Sequence, residues 1–297
     1  MKIALHVGAH KTGSTFIQDA LDAARPMLEN RGVAYVPRAE FRSEVTRKVG
    51  PHQKRTPEQR AAKHAEGAAA LAAMIDAASG ADRLILSDEN LIGNPNEMVR
   101  TRKLYPSAER RLAVLAPLLT GHEPEIFLAI RHHGQFARSL YGEALNVRLP
   151  RFIGPDEFRN GWEAGHPSWV PLVMSVLKNF PKARLTVWNF LDFKNDPTRF
   201  LNLLAGLERP LEFDTTDASR RPSLSHDATE ALLEIGARDG IEAMLAARRS
   251  IVRKFPKGQG NWAYRMWSDA QEKAFQQLLR KDLKQISSID DRVTLVS

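Results

Sequence analysis

A chain of 297 residues, 43% of them hydrophobic, can fill one α/β core, so a single domain over residues 1–297 is expected. Charged residues at 26% and short apolar runs argue against disorder and against a membrane span, and the absence of cysteine excludes a disulfide framework, a Cys-ligated metal and a thiolate nucleophile. The 43 Lys and Arg against 35 Asp and Glu give a net charge of +8, a positive field that suits an anionic cofactor or acceptor, nucleic acid or a membrane surface without choosing among them.

In chain order, residues 2–7 form a short apolar run that ends at Gly8, and residues 15–24 have helical spacing, giving strand, loop, helix. The first apolar run is too brief to read as a signal-peptide core, and a cytoplasmic location with no stable membrane insertion is expected. Residues 32–36, 83–86, 125–130 and 185–188 repeat the strand pattern. Five strands separated by helical stretches predict an α/β fold with a mostly parallel, doubly wound sheet flanked by helices. Between the second and third strands, a basic stretch at 38–60 precedes an Ala-rich helix at 61–78, so about 38–80 is expected as a helical insertion over the sheet edge. Residues 197–207 and 227–249 read as amphipathic helices and 268–286 as a closing one.

The loop Gly8-Ala9-His10-Lys11-Thr12-Gly13-Ser14-Thr15 sits where backbone N–H groups and a helix N-terminus converge on an anion. Its glycines allow close backbone approach, Lys11 supplies charge, and Thr12, Ser14 and Thr15 supply hydroxyls. A nucleoside triphosphatase loop has Lys directly after its second glycine. Here Ser14 follows Gly13, and the lysine lies inside the loop. GAHKTGST thereby resembles the 5′-phosphosulfate loop of sulfotransferases that use 3′-phosphoadenosine-5′-phosphosulfate (PAPS), usually Lys-Thr/Ser-Gly-Thr/Ser-Thr.

Three later segments extend the resemblance. In IFLAIRHHGQFARSL, Arg131 ends a strand and Ser139 follows eight residues on, like the family's Arg and Ser that hold the 3′-phosphate; His132 and His133 depart from its usual Asp-Pro. LTVWNFLDFKNDPTRFLNLLAGL resembles the family's fifth strand and following helix, with Trp188 read as core. FPKGQGNW resembles its Gly-rich loop over the 3′-phosphate, which makes Lys257, Gly258 and Gly260 candidate contacts. The resemblance implies a P-loop-like sulfotransferase fold, PAPS as co-substrate, and cofactor contacts from His10, Lys11, Thr12, Gly13, Ser14, Thr15, Arg131, Ser139, Lys257, Gly258 and Gly260.

Sulfuryl transfer needs stabilisation of the departing phosphate oxygen and a base for the acceptor proton. Lys11 is expected to serve the first role and Glu89, in LILSDENL, the second; His10, His132 and His133 are rival bases, because imidazole titrates near neutrality. Asp88 is expected to cap or orient, and no metal is expected. The acceptor is expected to be a small molecule, glycan or lipid rather than nucleic acid. The competing readings are a Mg-dependent P-loop kinase or nucleotidase, since LILSDE also fits a strand ending in a metal-binding Asp, and a non-catalytic anion-binding module.

Overall fold

The computed structural model describes residues 1–50, 55–122, 124–214, 224–258 and 260–296. Six strands form one sheet: β1 (Lys2–His6), β2 (Val33–Tyr35), β3 (Arg83–Ser87), β4 (Glu125–Ile130), β5 (Leu185–Asn189) and β6 (Val293–Val296), in the order β2-β3-β1-β4-β5-β6. Every pairing is parallel. The sequence predicts five of them. It misses β6, a four-residue edge strand that pairs only with β5 and has no fully buried side chain, so it lacks the continuous apolar run of a central strand.

Successive residues of the central strands face opposite covers. Ile3, Leu5, Leu84, Leu86, Ile126, Leu128, Ile130, Leu185 and Val187 pack on one side, with Phe136 and Leu140 from the helix His133–Ala144, Val173 and Leu177 from Val170–Asn179, and Leu279 from Asp269–Ile286. Ala4, Ile85, Phe127, Ala129 and Trp188 pack on the other, with Ile17 and Leu21 from the helix Ser14–Ala23 and Phe200, Leu201 and Leu204 from Pro197–Ala205. Trp188 is a core residue, as expected, stacked on His6 at 5.9 Å. The helix His226–Lys254 is two helices joined across Gly240, whose φ of 83° is open to glycine alone without strain. No helix among the described residues is long and apolar enough to cross a membrane.

The segment expected as an edge insertion is the crossover between β2 and β3, which parallel neighbours require. It begins with a helical run made of Arg38–Phe41, a π-turn at Arg42–Thr46 and Arg47–Val49. Residues 51–54 of the expected basic stretch lie outside the described residues. The helix Pro57–Ala77 follows, opened by a capping box in which the Thr56 hydroxyl accepts the Gln59 N–H and the Gln59 carboxamide accepts the Thr56 N–H.

One polar network inside the first cover ties three segments together. Asp282, 2% exposed, accepts hydrogen bonds from the Trp169 N–H at 2.7 Å and the Ser168 hydroxyl at 2.9 Å, and lies 3.0 Å from the fully buried His133 Nε2. Trp169 in turn packs edge-on against Phe136 at 5.1 Å. Removing one member of a buried polar set leaves its partners unsatisfied. Asp282→Ala should therefore lower the unfolding free energy by about 3 kcal/mol in urea denaturation, and Asp282→Asn, which keeps an acceptor oxygen, should lose less.

Candidate active site

The chain runs from β1 to β2 and β3 on one side, then crosses to β4, β5 and β6 on the other. The carboxyl ends of β1 and β4 therefore meet where the winding reverses, the place where open α/β sheets bind ligands. Backbone bonds from the Val7 N–H to the Phe127 oxygen (3.0 Å) and from the Ala9 N–H to the Ala129 oxygen (3.0 Å) hold the loop after β1 against β4.

Beyond Ala9 the loop turns under the N-terminus of the Ser14 helix. Gly13 sits at φ 87° and gives that helix no side-chain cap, so first-turn N–H groups remain for an anion. An added Cβ on Gly13 would lie 2.6 Å from Phe193 Cε1, and one on Gly8, at φ 104°, would lie 2.8 Å from Glu89 Cβ. Two hydroxyls expected on phosphate are used inside the loop instead, because Thr12 Oγ1 donates to the Ala9 oxygen at 2.7 Å and Ser14 Oγ donates to it at 2.9 Å. They brace the turn. Thr15 Oγ1 accepts from Arg38 Nη1 at 3.4 Å.

Lys11, at φ 60°, extends its ammonium to Glu143 Oε2 at 3.1 Å. Arg131 Nη1 donates to the Lys11 carbonyl at 2.7 Å, its guanidinium lies 4.7 Å from the Phe190 ring centroid, and its Nε is buried with no hydrogen-bond partner. Burial, then the neighbouring Arg138, lowers the Arg131 guanidinium to about 10, so it stays charged at neutral pH. Lys11, Arg131, Ser139 and Lys257 all line one cleft of about 570 Å³, together with Arg138 and Arg248. Gly258 and Gly260 form the adjoining turn, with φ of 122° and 86° and reciprocal backbone bonds between Gly258 and Asn261 at 2.9 and 3.1 Å; Gln259 of that loop lies outside the described residues.

The Asp88-Glu89 segment after β3 lies on the other side of the loop. Asp88 both caps and orients, as expected: its Oδ1 accepts the Asn90 N–H at 2.9 Å, while Arg42 donates to it through Nη2 at 2.6 Å and Nε at 3.1 Å. The same Arg42 Nη2 donates to Glu89 Oε1 at 2.9 Å, and Gln18 Nε2 donates to Glu89 Oε2 at 3.1 Å. Burial alone would raise the Glu89 carboxyl; the charges of His10 and Arg42, its own N–H and the Gln18 amide outweigh that and hold it at about 2. Arg38 and Arg42 are site residues that sequence reading missed. Their signal is a four-residue spacing along a basic helical run, bent by the π-turn that starts at Arg42.

The histidines are held in place by hydrogen bonds. The Tyr105 oxygen accepts the His10 N–H at 2.7 Å and lies 2.9 Å from His10 Nδ1, while His10 Nε2 lies 3.2 Å from Asn90 Oδ1. Burial lowers the His10 imidazole below its ordinary value, opposed by Glu89 and Asn90. His132 caps its helix by accepting the Gln135 N–H at 3.3 Å, with Nε2 3.2 Å from the Glu272 oxygen. His133 belongs to the Asp282 network. The loop thus borders the cleft through Lys11 and packs against Glu89 through Gly8, whereas His132 and His133 are held in the helix packing.

The Glu89 environment makes a direct prediction. Arg42→Ala removes a cation 2.9 Å from the carboxylate while leaving its burial largely in place, so the Glu89 carboxyl should rise from about 2, read from the pH dependence of its carboxyl ¹³C shift.

No protein-family model matches this sequence, and no curated protein matches it. Among solved structures, the fold is similar to the crystal structure of a sulfotransferase from Alicyclobacillus acidocaldarius, with a TM-score of 0.44 and 16% identity over 85% of this chain and 96% of that one.

Proposed function

We propose that the chain is a PAPS-dependent sulfotransferase, acting on a hydroxyl or amine of a small-molecule, glycan or lipid-headgroup acceptor. The observation that carries this reading is that Lys11, Arg131, Ser139 and Lys257, drawn from three separate segments of sequence, line one cleft beside a helix N-terminus without a side-chain cap. The residues present suit a bisphosphorylated nucleotide. The cleft is cationic, Arg131 Nε is a buried donor with no acceptor of its own, and the loop keeps backbone N–H groups for the 5′-side oxygens.

When bound, PAPS supplies an electrophilic sulfur joined to a phosphate oxygen. The acceptor oxygen or nitrogen forms a bond to that sulfur as the sulfur–phosphate oxygen bond breaks, and the acceptor proton leaves to a base. In this reading Lys11 exchanges its ion pair with Glu143 for the departing phosphate oxygen, where a positive charge stabilises the transition state most. Arg131 and Ser139 hold the 3′-side of the nucleotide. Glu89 accepts the proton, pre-ionised by Arg42 and aimed by Gln18.

The occupied oxygens of Asp88 weigh against the kinase reading. Both accept from Arg42, and one also caps Asn90, which leaves a Mg²⁺ ion at that position competing with a guanidinium.

Adenosine 3′,5′-bisphosphate should raise the melting temperature without Mg²⁺ through binding linkage, and ATP should raise it markedly less. Arg131→Ala should weaken that nucleotide by about 2 kcal/mol, the size of a lost charge-assisted contact; equal, Mg²⁺-dependent stabilisation by ATP would overturn the assignment. Lys11→Ala should slow transfer roughly a hundredfold or more. Glu89→Gln should slow turnover by about 10²–10⁴-fold with nucleotide affinity nearly unchanged. Because the Glu89 carboxyl lies near about 2, its basic form persists above that pH, and the wild-type rate should show no acidic limb from Glu89 between about pH 5 and 8. A limb in that range lost in His10→Gln would transfer the base role to the histidine.

A further inference from the structure

A second cleft, about 690 Å³ in volume, opens on the far side of the Asp88-Glu89 segment. Six arginines line it: Arg42, Arg47, Arg100, Arg110, Arg111 and Arg148. Among the described residues on its wall the one carboxylate is Glu97, whose Oε2 accepts the Ser107 hydroxyl at 2.6 Å. The arginines come from three parts of the chain: the π-turn run, residues 100–111, and the stretch after the His133–Ala144 helix. Such a concentration of like charge in a concave wall is unfavourable unless anions occupy it.

Three of these arginines, Arg42, Arg148 and Arg111, are held by side chains outside the wall. Arg42 is held by Asp88 and Glu89, and Arg148 Nε by Glu242 Oε1 at 2.7 Å. Arg111 is oriented across the cleft by donating to Ser107 Oγ at 3.1 Å and to the Asn90 oxygen at 3.4 Å. Arg100 and Arg110 are solvent-exposed. A further lining residue, Thr46, is 6% exposed and its hydroxyl has no hydrogen-bond partner, a buried donor with an unmet need.

Guanidinium groups recognise carboxylate, phosphate and sulfate through paired N–H donors, and several of them on one wall suit a ligand with several anionic groups. The neutral side chains of the wall include Asn90, Asn94 and Asn96, whose amides can both donate to and accept from hydroxyls. Among the described residues no aromatic side chain lines the cleft, and single-stranded nucleic acid uses such side chains as its stacking surface. Its position fixes its relation to the chemistry: Asn90 is the residue after Glu89, and Arg42 touches both Glu89 and the cleft.

We propose that this cleft is the acceptor subsite and that it takes an acidic carbohydrate, a polyhydroxylated molecule bearing two or more carboxylate, phosphate or sulfate groups, whose free hydroxyl it presents toward Glu89. The acceptor role rests on the sulfotransferase reading; the binding specificity does not.

The test is equilibrium binding to the full chain by isothermal titration calorimetry at two salt concentrations, with trigalacturonate, neutral maltotriose, inorganic phosphate and a thymidine dodecanucleotide as probes, and adenosine 3′,5′-bisphosphate measured beside them. Trigalacturonate should bind at least tenfold more tightly than maltotriose and than phosphate, more weakly at higher salt. The double variant Arg100→Ala/Arg110→Ala, at exposed positions, should lose at least tenfold of that affinity while adenosine 3′,5′-bisphosphate affinity and melting temperature stay at wild-type values. Maltotriose binding as tightly, or a double variant with unchanged trigalacturonate affinity, overturns the proposal. Phosphate matching trigalacturonate reduces the cleft to a simple anion site and overturns the carbohydrate assignment, and a dodecanucleotide that binds more tightly and displaces trigalacturonate overturns it in favour of nucleic acid. If trigalacturonate behaves as expected while adenosine 3′,5′-bisphosphate fails to bind, the sulfotransferase reading falls and the acidic-carbohydrate site stands.

Discussion

Asp88 is fully buried at the end of β3, and a carboxylate in that position needs a partner that brings both charge and hydrogen bonds. Arg42 is that partner, gripping Asp88 through two nitrogens and extending one of them to Glu89. Much of the site geometry depends on this pair of contacts. They fasten the crossover from β2 to the sheet, fix the direction of Glu89, and so fix the gap into which Gly8 must fit without a Cβ. The π-turn beginning at Arg42 gives the helical run its extra residue there, the kind of local irregularity that functional sites often retain.

The charges around the loop are matched in a way that prepares the site for anions. Lys11 rests on Glu143, which lies on the helix that carries Ser139, and Arg131 is spent partly on the Lys11 carbonyl and partly on the face of Phe190. Each cation is thus fixed before a ligand arrives, which lowers the ordering cost of binding. Lys11 differs from Arg131 in its exposure: both partners of its ion pair are at least 30% exposed. Such a pair contributes little, about 1 kcal/mol or less, and an incoming phosphate oxygen can displace Glu143 at small cost.

The sequence made the skeleton of this site legible because the relevant residues end strands. Gly8, Glu89 and Arg131 each follow an apolar run closely, and a parallel sheet brings such ends to one edge. The use of each side chain was less legible. The hydroxyls of Thr12 and Ser14 suggest ligand contacts, yet both donate to the Ala9 carbonyl, because a tight loop has its own acceptors to satisfy. Arg38 and Arg42 were hidden in a stretch whose basic composition pointed to a helical insertion over the sheet edge; only the crossover direction turns them inward. His133 had the look of a strand-end catalytic residue and is instead core, since its partner Asp282 lies 149 residues away, beyond any local pattern.

The histidines near the site also bear on the proton. The Tyr105 oxygen accepts the His10 backbone N–H and lies 2.9 Å from Nδ1, and Asn90 Oδ1 lies 3.2 Å from Nε2, so both ring nitrogens of His10 have a neighbour within hydrogen-bond distance. His6 lies at the end of β1, with Nδ1 2.8 Å from Ser87 Oγ, and burial, opposed by Glu89, lowers it to about 4. His132 Nδ1 is used as a helix cap. A carboxylate has more acceptor capacity than an imidazole, and Glu89 keeps lone pairs beyond those used by Arg42 and Gln18. Its tight ion pair makes it a weak base in the empty site. In the proposed reaction, proton transfer to it requires that Arg42 loosen as the acceptor arrives, and an acceptor whose own negative charge attracts Arg42 would bring that about. The arginine that ties β3 to the crossover would then also tie acceptor binding to the strength of the base.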